Sequence, residues 1–512
     1  MPVSPRKARV ACSISLILLL ANCGDNPAGP GGKPGVRAIA GAGITDTVDA
    51  HLAQSLVVEV RRADGVLASG VVVNFEPQPV SDPSYFNEPS MRVCNVSVLD
   101  CSGFFGLPAT DTTDANGRAS ATVLMGRVAG RGVVRLSVPE LGFTDSATFT
   151  IAPGAPAALI TIGADPELDI GGKATLSGLV LDRYSNPRAE KATLSAGPGS
   201  AITLDAATGT VTGRDMGTQW VFMRYMSLLD SARVRVVPPG RLLVWSPNEQ
   251  TVRLVNINGS NERTIVSHVS SVFGAFPRFD ETRRRITVHT ATDPYMGLSN
   301  DLIIVDTTGA SRRDIEFSAI MASRYLTDGA VLVVAARDGD ASHPGFSLWS
   351  VATDNTITFL VALPGLEFTY GGADISHDGT KVAYVTKYGL PGELRVLQVS
   401  TGSTTVLDSQ AGMPRWSAQG DRLAYQTPAN AFASYVSIVT VINANGSGRR
   451  VLENAEFNPG VSWSPDGIYV IGRRSDDQAM RVIRVSDGTA VSLRFPPTES
   501  GCCHDYWQPD WR

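Results

Sequence analysis

A short motif that recurs six times in the C-terminal half of the chain constrains the fold more than any other feature. Successive copies begin 41 to 50 residues apart. A period of this length, with several short strands in each unit, is typical of a β-propeller, in which each repeat forms one blade. The copies are Phe279-Asp-Glu-Thr, Tyr325-Leu-Thr-Asp-Gly, Ile375-Ser-His-Asp-Gly, Trp416-Ser-Ala-Gln-Gly, Trp463-Ser-Pro-Asp-Gly and Trp507-Gln-Pro-Asp.

Each repeat has the pattern of four antiparallel strands. Asp378-Gly379 predicts a tight turn, because aspartate tolerates the bend and glycine accepts a positive φ angle. Apolar and polar residues then alternate through Lys381–Tyr384, Glu393–Val399 and Thr404–Leu407. This period of two is the pattern of half-buried strands, so the repeat predicts a four-stranded antiparallel sheet.

The two ends of the repeat region predict how the propeller closes. The chain ends on Trp507-Gln-Pro-Asp-Trp-Arg512, which is a first strand without partners. The region opens on Arg241-Leu-Leu-Val-Trp245, which is a second strand without a first. Pairing of the two would complete a sixth blade and leave no long exposed sheet edge.

The motif Trp463-Ser-Pro-Asp-Gly467 and its weaker copies resemble the repeat of TolB-like six-bladed propellers, a WD-repeat-like family. The resemblance covers residues 240–512 and implies a binding module. It is specific for the fold, whereas propellers of this kind bind partners, bind ligands or connect other domains.

The N-terminus carries the pattern of an export signal. Basic residues precede the apolar run Val10–Leu20, which is too short to span a bilayer. The run ends at Leu20-Ala-Asn-Cys23, and residues 1–22 resemble a bacterial lipoprotein signal, which implies lipidation of Cys23. With Gly24 after the cysteine, the resemblance implies the outer membrane. Residues 23–41 are rich in glycine and proline and predict a flexible tether.

Two β-sandwiches are expected between the tether and the propeller. Residues 42–153 contain about seven short alternating segments, and Asp114-Ala-Asn-Gly117 with its flanks resembles the bacterial immunoglobulin-like domains of invasin and intimin. Residues 157–238 repeat the pattern more weakly and resemble a second such domain. The resemblance implies that the two domains act as spacers. With two sandwiches and a propeller, the chain is expected to be all-β.

The cysteines predict one disulfide and leave one pair open. Cys94 and Cys101 lie seven residues apart in the first sandwich and are predicted to form a loop-closing disulfide in an oxidising compartment. Cys502 and Cys503 are adjacent and would form either a vicinal disulfide or two thiols. We expect no metal there, because adjacent residues rarely converge on one ion.

Charge and motifs exclude several classes of function. Removal of residues 1–22 takes away three basic and no acidic residues, so the net charge falls from −5 to −8. An acidic chain without a basic run is not expected to bind nucleic acid. The sequence contains no Gly-x-Ser-x-Gly elbow, no His-Glu-x-x-His and no phosphate-binding loop, so we expect neither an enzyme nor a cofactor.

Three arginines form the one constellation with a candidate binding role. Arg278, Arg324 and Arg415 each precede the aromatic residue of a repeat, so a ring of blades would place them at one depth. They could accept an anionic ligand or an acidic peptide. The alternative is that they pair with acidic residues of neighbouring blades. The repeated aspartates Asp328, Asp378, Asp466 and Asp510 are interpreted as turn residues, and the tryptophans as packing between blades.

These observations favour a monomeric, lipid-anchored envelope protein whose propeller binds a protein partner or an envelope glycan. Recognition is expected in the long connections Thr290–Asn300, Ala335–Gly345 and Thr427–Tyr435. One alternative is an enzyme of the lyase, lactonase or glycosidase type with a site in the channel mouth. Another is a surface adhesin that binds through its immunoglobulin-like domains.

Overall fold

A computed structural model describes most of the chain, in two compact units: residues 1–158 with 180–190, and residues 159–179 with 191–512. The residues that the structure describes are 32–80, 90–96, 107–163, 165–246, 249–269, 275–280, 284–290, 300–309, 311–337, 340–367, 372–386, 392–428, 437–474, 479–493 and 507–511.

Residues 35–152 form a sandwich of two sheets. One sheet has the strand order β1-β3-β7-β5 and the other β2-β9-β8-β4-β6. Apolar residues of both sheets, including Leu56, Phe75, Val123 and Leu136, share one buried core. The strands are β1 (Gly35–Ala40), β2 (Thr45–Thr47), β3 (Leu56–Arg61), β4 (Val72–Pro77), β5 (Met91–Asn95), β6 (Ala109–Thr112), β7 (Arg118–Met125), β8 (Gly130–Val138) and β9 (Phe143–Ala152), with a 3-10 turn at Pro139–Leu141.

The first strand begins inside the segment expected to be a tether. β1 pairs antiparallel with β3, from Gly35 opposite Arg61 to Ala40 opposite Val57. The side chain of Val36 is buried in the core of the sandwich. Residues 35–40 therefore belong to the fold, because they supply the edge of one sheet.

Ten strands follow between residues 156 and 237. Within residues 159–179 and 191–237, one sheet has the order β11-β19-β18-β15 and a second has the order β12-β17-β16. The strands are β10 (Pro156–Ile162), β11 (Glu167–Asp169), β12 (Lys173–Thr175), β13 (Ser177–Asp182), β14 (Pro187–Lys191), β15 (Thr193–Ala196), β16 (Ile202–Asp205), β17 (Thr210–Gly213), β18 (Gly217–Tyr225) and β19 (Leu228–Val237).

Residues 241–511 contain only strands and their connections among the residues that the structure describes. The strands are β20 (Arg241–Ser246), β21 (Thr251–Asn256), β22 (Arg263–Val266), β23 (Ala275–Phe279), β24 (Arg285–Thr290), β25 (Asn300–Asp306), β26 (Arg313–Phe317), β27 (Ala319–Tyr325), β28 (Val331–Ala336), β29 (Ser347–Val351), β30 (Ile357–Ala362), β31 (Ala373–Ile375), β32 (Lys381–Val385), β33 (Gly392–Gln398), β34 (Thr404–Trp416), β35 (Arg422–Pro428), β36 (Ser437–Asn443), β37 (Arg450–Trp463), β38 (Tyr469–Arg474), β39 (Met480–Arg484), β40 (Ala490–Ser492) and β41 (Trp507–Trp511).

These strands are arranged as successive four-stranded antiparallel blades. β23–β26 and β27–β30 form two separate sheets in chain order, and β31–β40 form a continuous one. In the continuous sheet, β34 and β37 each pair with the preceding strand through one half and with the following strand through the other. Each of these two strands thus ends one blade and begins the next, and the whole is a β-propeller.

The propeller closes as the sequence predicts, but in a different register. β41 pairs with β20, so the last strand shares a sheet with the first strands of the region. The backbone N–H of Phe279 donates to Asp510, and that of Trp416 donates to Asp374. The N–H of Trp511 donates in the same way to Ser462. In each pair the acceptor belongs to the preceding blade and stands directly before the motif residue of that blade. The equivalent residue of the last copy is therefore Trp511 and not Trp507.

Turn chemistry is as expected elsewhere in the repeats. Gly379 and Gly467 have φ angles of 69° and 70°, and the preceding Asp378 and Asp466 accept backbone N–H groups within their turns. Within the part of the chain that the structure describes, no helix is long and apolar enough to cross a membrane.

Candidate functional site

A ring of polar residues lies where the first strands of the blades meet. It consists of the residue directly before the blade aromatic or isoleucine in β23, β27, β31, β34, β37 and β41, and we call it the polar ring. Each first strand contacts the next, and β41 contacts β23, which closes the ring. No member is more than 5% exposed. The members are Arg278, Arg324, Asp374, Arg415, Ser462 and Asp510.

Asp510 joins the closing blade to the blade that follows it. Its Oδ2 accepts the backbone N–H of Phe279 at 2.8 Å, and its Oδ1 lies 3.8 Å from a guanidinium nitrogen of Arg278. This position corrects the interpretation of Asp510 as a turn residue. The turn pattern was misleading because Gln508-Pro509-Asp510 resembles the Ser-Pro-Asp that follows Trp463. The true motif residue of the last copy is Trp511, four residues after Trp507, so Asp510 precedes it and does not follow it.

Asp374 and Arg324 form an ion pair between the blades that begin with β27 and β31. Arg324 donates through Nε to the carbonyl oxygen of Ile375 at 2.7 Å, and another of its nitrogens lies 3.6 Å from Asp374. Asp374 in turn accepts the backbone N–H of Trp416 at 2.8 Å. His377, in the turn that follows β31, is half-buried and accepts a hydrogen bond from Arg324 at 3.0 Å.

Arg415 completes the set of three arginines, and its guanidinium has a lowered pKa. It donates to the carbonyl oxygen of Ala373 at 3.3 Å, and its own carbonyl oxygen accepts the indole N–H of Trp463 at 3.0 Å. Burial and the charge of Arg278 lower the pKa of Arg415 to about 9, against the opposite influence of Asp374 and Asp510. The five charged members of the ring therefore act on one another as a single electrostatic group.

A buried histidine extends this group between two blades. His289 on β24 stacks on Phe276 with ring centroids 4.9 Å apart, and its Nδ1 lies 3.2 Å from the hydroxyl of Ser323. Ser323 also donates to the hydroxyl of Thr287. Burial, with the charges of Arg278 and Arg415, lowers the pKa of His289 well below its usual value, so the imidazole of His289 is neutral at physiological pH. No sequence pattern distinguishes this histidine from the other five.

The contacts of the polar ring connect neighbouring blades. Asp510, Asp374 and Ser462 each accept a backbone N–H from the blade that follows. Arg278 and Arg324 each face a carboxylate of an adjacent blade. The structure thus brings the three predicted arginines together, and it places two of them in the ion pairs that the alternative interpretation expected. The aspartates were missed because Asp510 bonds a residue 231 positions away in the chain.

Two clefts are lined by residues of the propeller strands and their connections. One, of about 370 Å³, lies at the junction of β23–β26 with β27–β30 and is lined by Arg284, Arg285, Tyr325, Asp328 and Thr353. Arg285 donates to the Tyr325 hydroxyl at 2.6 Å and lies over its ring. The other, of about 440 Å³, includes Asp169, whose pKa is raised by burial, together with Arg241 and Asn256.

A second polar cluster, which the sequence did not predict, lies in the first unit. Asp49 contacts three guanidinium groups, those of Arg92, Arg127 and Arg183, and accepts the hydroxyl of Tyr184. Burial alone would raise the pKa of Asp49, but Tyr184 and the arginines outweigh it and lower the pKa. The tyrosine ring also lies against Arg127 and Arg183, so this cluster fixes residues 183–184 to the first sandwich.

The remaining predicted site residues are only partly described. Cys94 is buried and disulfide-bonded, whereas its predicted partner Cys101 lies outside the described residues. Cys23, Cys502 and Cys503 also lie outside them, as do most of the connections 290–300 and 427–435 and two residues of 335–345. Among the residues that are described, no three histidine, cysteine or acidic side chains are grouped to hold a metal ion.

Comparisons with known proteins find resemblance at the level of structure only. No protein-family model matches the sequence, and no curated protein matches it. TolB from Acinetobacter baumannii is 13% identical, covers 69% of this chain over 99% of its own, and has a TM-score of 0.43. The β-propeller domain of Cps50 (Swd1) from Myceliophteria thermophila is 11% identical, with coverages of 51% and 88% and a TM-score of 0.34.

A third solved structure is an oligogalacturonate lyase in complex with manganese. It is 11% identical, covers 73% of this chain over 94% of its own, and has a TM-score of 0.34. At these identities and TM-scores, the likenesses carry no statement about what this protein binds or catalyses.

Proposed function

We propose that this protein is a lipid-anchored protein of the bacterial cell envelope that acts by binding and not by catalysis. Its six-bladed, TolB-like propeller would bind a protein partner or an envelope glycan. The two immunoglobulin-like sandwiches would serve as spacers between the propeller and a diacylated Cys23 in the outer membrane.

The observation that carries the proposal is the use of the buried charges at the centre of the propeller. Both carboxylates of the polar ring, Asp374 and Asp510, are engaged by an arginine and by a backbone N–H of a neighbouring blade. Carboxylates held in this way connect blades and are poorly placed to act as a general base, which must reach the proton it removes. A rigid closed ring is, by contrast, a good support for recognition by its loops and clefts.

The three arginines remain candidates for contact with an anionic group. The polar ring holds three guanidinium groups and two carboxylates, which leaves an excess of one positive charge. Burial and, after it, repulsion by Arg278 lower the pKa of Arg415, and an acidic group entering from the propeller mouth would relieve that repulsion. Arg415→Met would then weaken binding of the partner, whereas a purely connecting role predicts unchanged binding.

The test places a photo-crosslinking amino acid in the full chain, expressed in an envelope-forming Gram-negative host. Position 328 lines the smaller cleft, and position 406, on β34, is half-exposed and lies outside both clefts. We expect a discrete protein or glycan adduct from position 328 and none from position 406. Adducts of equal intensity from both positions, or none from position 328, would contradict binding at the cleft.

The anchor is tested separately by fractionation. Cys23→Ser is expected to move the protein from the membrane fraction to the soluble envelope fraction, because loss of the acyl chains removes about 0.8 kcal/mol of membrane affinity per buried methylene. Membrane association that is unchanged in Cys23→Ser would contradict the lipid anchor while leaving the binding proposal untouched.

A further inference from the structure

One face of the sheet β11-β19-β18-β15 presents aromatic side chains to solvent. Along β18, Gln219, Val221 and Met223 point inward and are buried. The alternate residues Trp220 and Phe222 are 46% and 42% exposed. A one-sided antiparallel sheet normally places polar residues at such positions, so these two rings are not explained by the core of the sandwich.

The surroundings of the two rings leave them accessible from the side. Phe222 stands opposite Ser195 on β15 and Ser231 on β19, and directly paired residues of antiparallel strands share a face. A Cβ added to Gly197 would lie 3.0 Å from the Phe222 ring, so a larger residue there would crowd the ring. The aromatics therefore form a ridge one strand wide, bordered by small residues.

Two arginines flank this ridge. Trp220 stands opposite Arg233, and Arg224 stands opposite Leu229, which is 61% exposed. We call these residues, with Phe222, the aromatic face. Two residues along from Arg233, Arg235 pairs with Glu167 at 3.5 Å.

The guanidinium groups of Arg224 and Arg233 form no such ion pair among the residues that the structure describes, while the backbone N–H of Arg233 donates to the carboxylate of Asp165 at 2.7 Å. The Nε of Arg233 is shielded from water and has no hydrogen-bond partner within the same described set, so only the terminal nitrogens of this guanidinium could meet a ligand. The aromatic face thus offers two guanidinium groups with donors available to an incoming carboxylate, whose two oxygens match the fork of a guanidinium group.

The area of the ridge decides which class of partner fits it. An aromatic side chain carries roughly 150–250 Å² of surface, so two rings less than half exposed offer about 200 Å². A stable protein interface needs about 800 Å² from each partner, and a membrane contact needs a broad apolar surface on one side of an element. A narrow ridge with flanking arginines instead suits a linear ligand with flat apolar faces and carboxylate groups.

We propose that the aromatic face binds a linear anionic polysaccharide. The apolar faces of successive sugar rings would stack on Trp220 and Phe222, which are about 6.7 Å apart along the strand. Arg224 and Arg233 would bind the carboxylates of the chain. This activity belongs to the second sandwich and does not rest on the function proposed for the propeller.

The test is affinity electrophoresis of the full chain in gels that contain alginate, with the neutral polymer hydroxyethylcellulose as a parallel. We expect alginate to retard the wild type and hydroxyethylcellulose to do so much less. Trp220→Ala and Arg233→Gln are expected to weaken the retardation by at least about tenfold in apparent Kd, since each removes a contact of more than about 1.4 kcal/mol. The matched control is Leu360→Ala, which removes an equally exposed apolar side chain from β30.

Several results would overturn the proposal. Retardation that is absent, that is equal in both polymers, or that survives in Trp220→Ala would each contradict it. Two other results would also contradict the proposal if alginate binding is absent. One is a dimer in sedimentation velocity that Trp220→Ala abolishes, and the other is vesicle binding that Trp220→Ala abolishes. The side chains of Trp220 and Leu360 are exposed and that of Arg233 is half-buried, so circular dichroism of each variant checks that it folds. Crosslinking from position 328 tests the function proposed for the propeller, and the alginate gel tests the aromatic face. The two proposals can therefore fail separately.

Discussion

Charged residues are usually exposed and large apolar residues usually buried, and the propeller and the second predicted sandwich depart from this rule in opposite ways. The propeller buries five charged side chains in its polar ring, whereas the second sandwich exposes Trp220 and Phe222. The buried charges are matched within the fold, by carboxylates and backbone groups of adjacent blades. The exposed aromatics have no partner in the sheet on which they stand.

This difference separates structural from functional exceptions. A buried charge is costly, and it is tolerated when the protein itself supplies the partner. Nothing among the described residues covers the exposed aromatic ridge, and such patches mark sites of interaction. We therefore assign the polar ring first to the joining of blades, and the aromatic face to a ligand.

The largest expected effect comes from breaking the polar ring at Asp510. Asp510→Ala leaves the buried guanidinium of Arg278 and the N–H of Phe279 without their acceptor, which is expected to cost about 3–5 kcal/mol. Urea unfolding followed by tryptophan fluorescence measures it, since Trp511, Trp463 and Trp416 are buried in the propeller. The control Asp328→Ala removes an exposed turn carboxylate and should cost less than about 1 kcal/mol. Equal losses would show that the ring does not join the blades.

A smaller loss is expected from the disulfide of the first sandwich. Cys94→Ser should lower the stability of that domain by about 2–3 kcal/mol, because the short loop closed by Cys101 would regain its freedom in the unfolded chain. Peptide mapping under non-reducing conditions checks the pairing directly. A peptide that links Cys94 to any cysteine other than Cys101 would make the predicted pairing wrong.

The polar ring also predicts a dependence of stability on pH. The folded-state pKa of His289 is lowered by burial and by Arg278 and Arg415, so below pH 6.5 the unfolded chain takes up a proton that the folded chain does not. Stability is therefore lost as pH falls, by about 1.4 kcal/mol per pH unit, until His289 itself is protonated. His289→Leu should remove this component of the slope between pH 7 and 5, and His51→Leu, at an exposed position, should leave it in place. A slope that is the same in all three proteins would contradict a buried neutral His289.

The aromatic face predicts the smallest effect on stability. Trp220→Ala and Phe222→Ala should each change the free energy of unfolding by less than about 0.5 kcal/mol, because the rings make few contacts in the folded chain. Differential scanning calorimetry of the full chain measures this. A loss of several kcal/mol would show that the rings are part of the core, and the comparison with the propeller would fail.

Local chemistry explains how much of the fold the sequence predicts. The turn at Asp378-Gly379 and the alternating strands around it follow from neighbouring residues, as does the pairing of the two chain ends. The register of the last strand did not follow, because Trp507 and Trp511 both fit the motif. The hydrogen bond that the N–H of Trp511 donates to the hydroxyl oxygen of Ser462 distinguishes them, and it joins residues 49 positions apart.

The candidate sites were less predictable because they depend on contacts between distant residues. The equivalence of Arg278, Arg324 and Arg415 was visible in the repeats, but their acidic partners were not. The run Trp220-Val-Phe-Met223 is apolar at every position, which is the pattern of a strand buried on both faces. Its exposed side becomes apparent only in the assembled sheet, where Trp220 and Phe222 are 46% and 42% exposed.

The most direct test of the comparison is one affinity gel with alginate that carries the wild type, Trp220→Ala and Arg415→Met side by side. The account predicts that Trp220→Ala migrates without retardation and that Arg415→Met is retarded like the wild type. Retardation lost in Arg415→Met and retained in Trp220→Ala would place anion binding in the polar ring. That result would contradict the assignment of the aromatic face to the anionic polysaccharide.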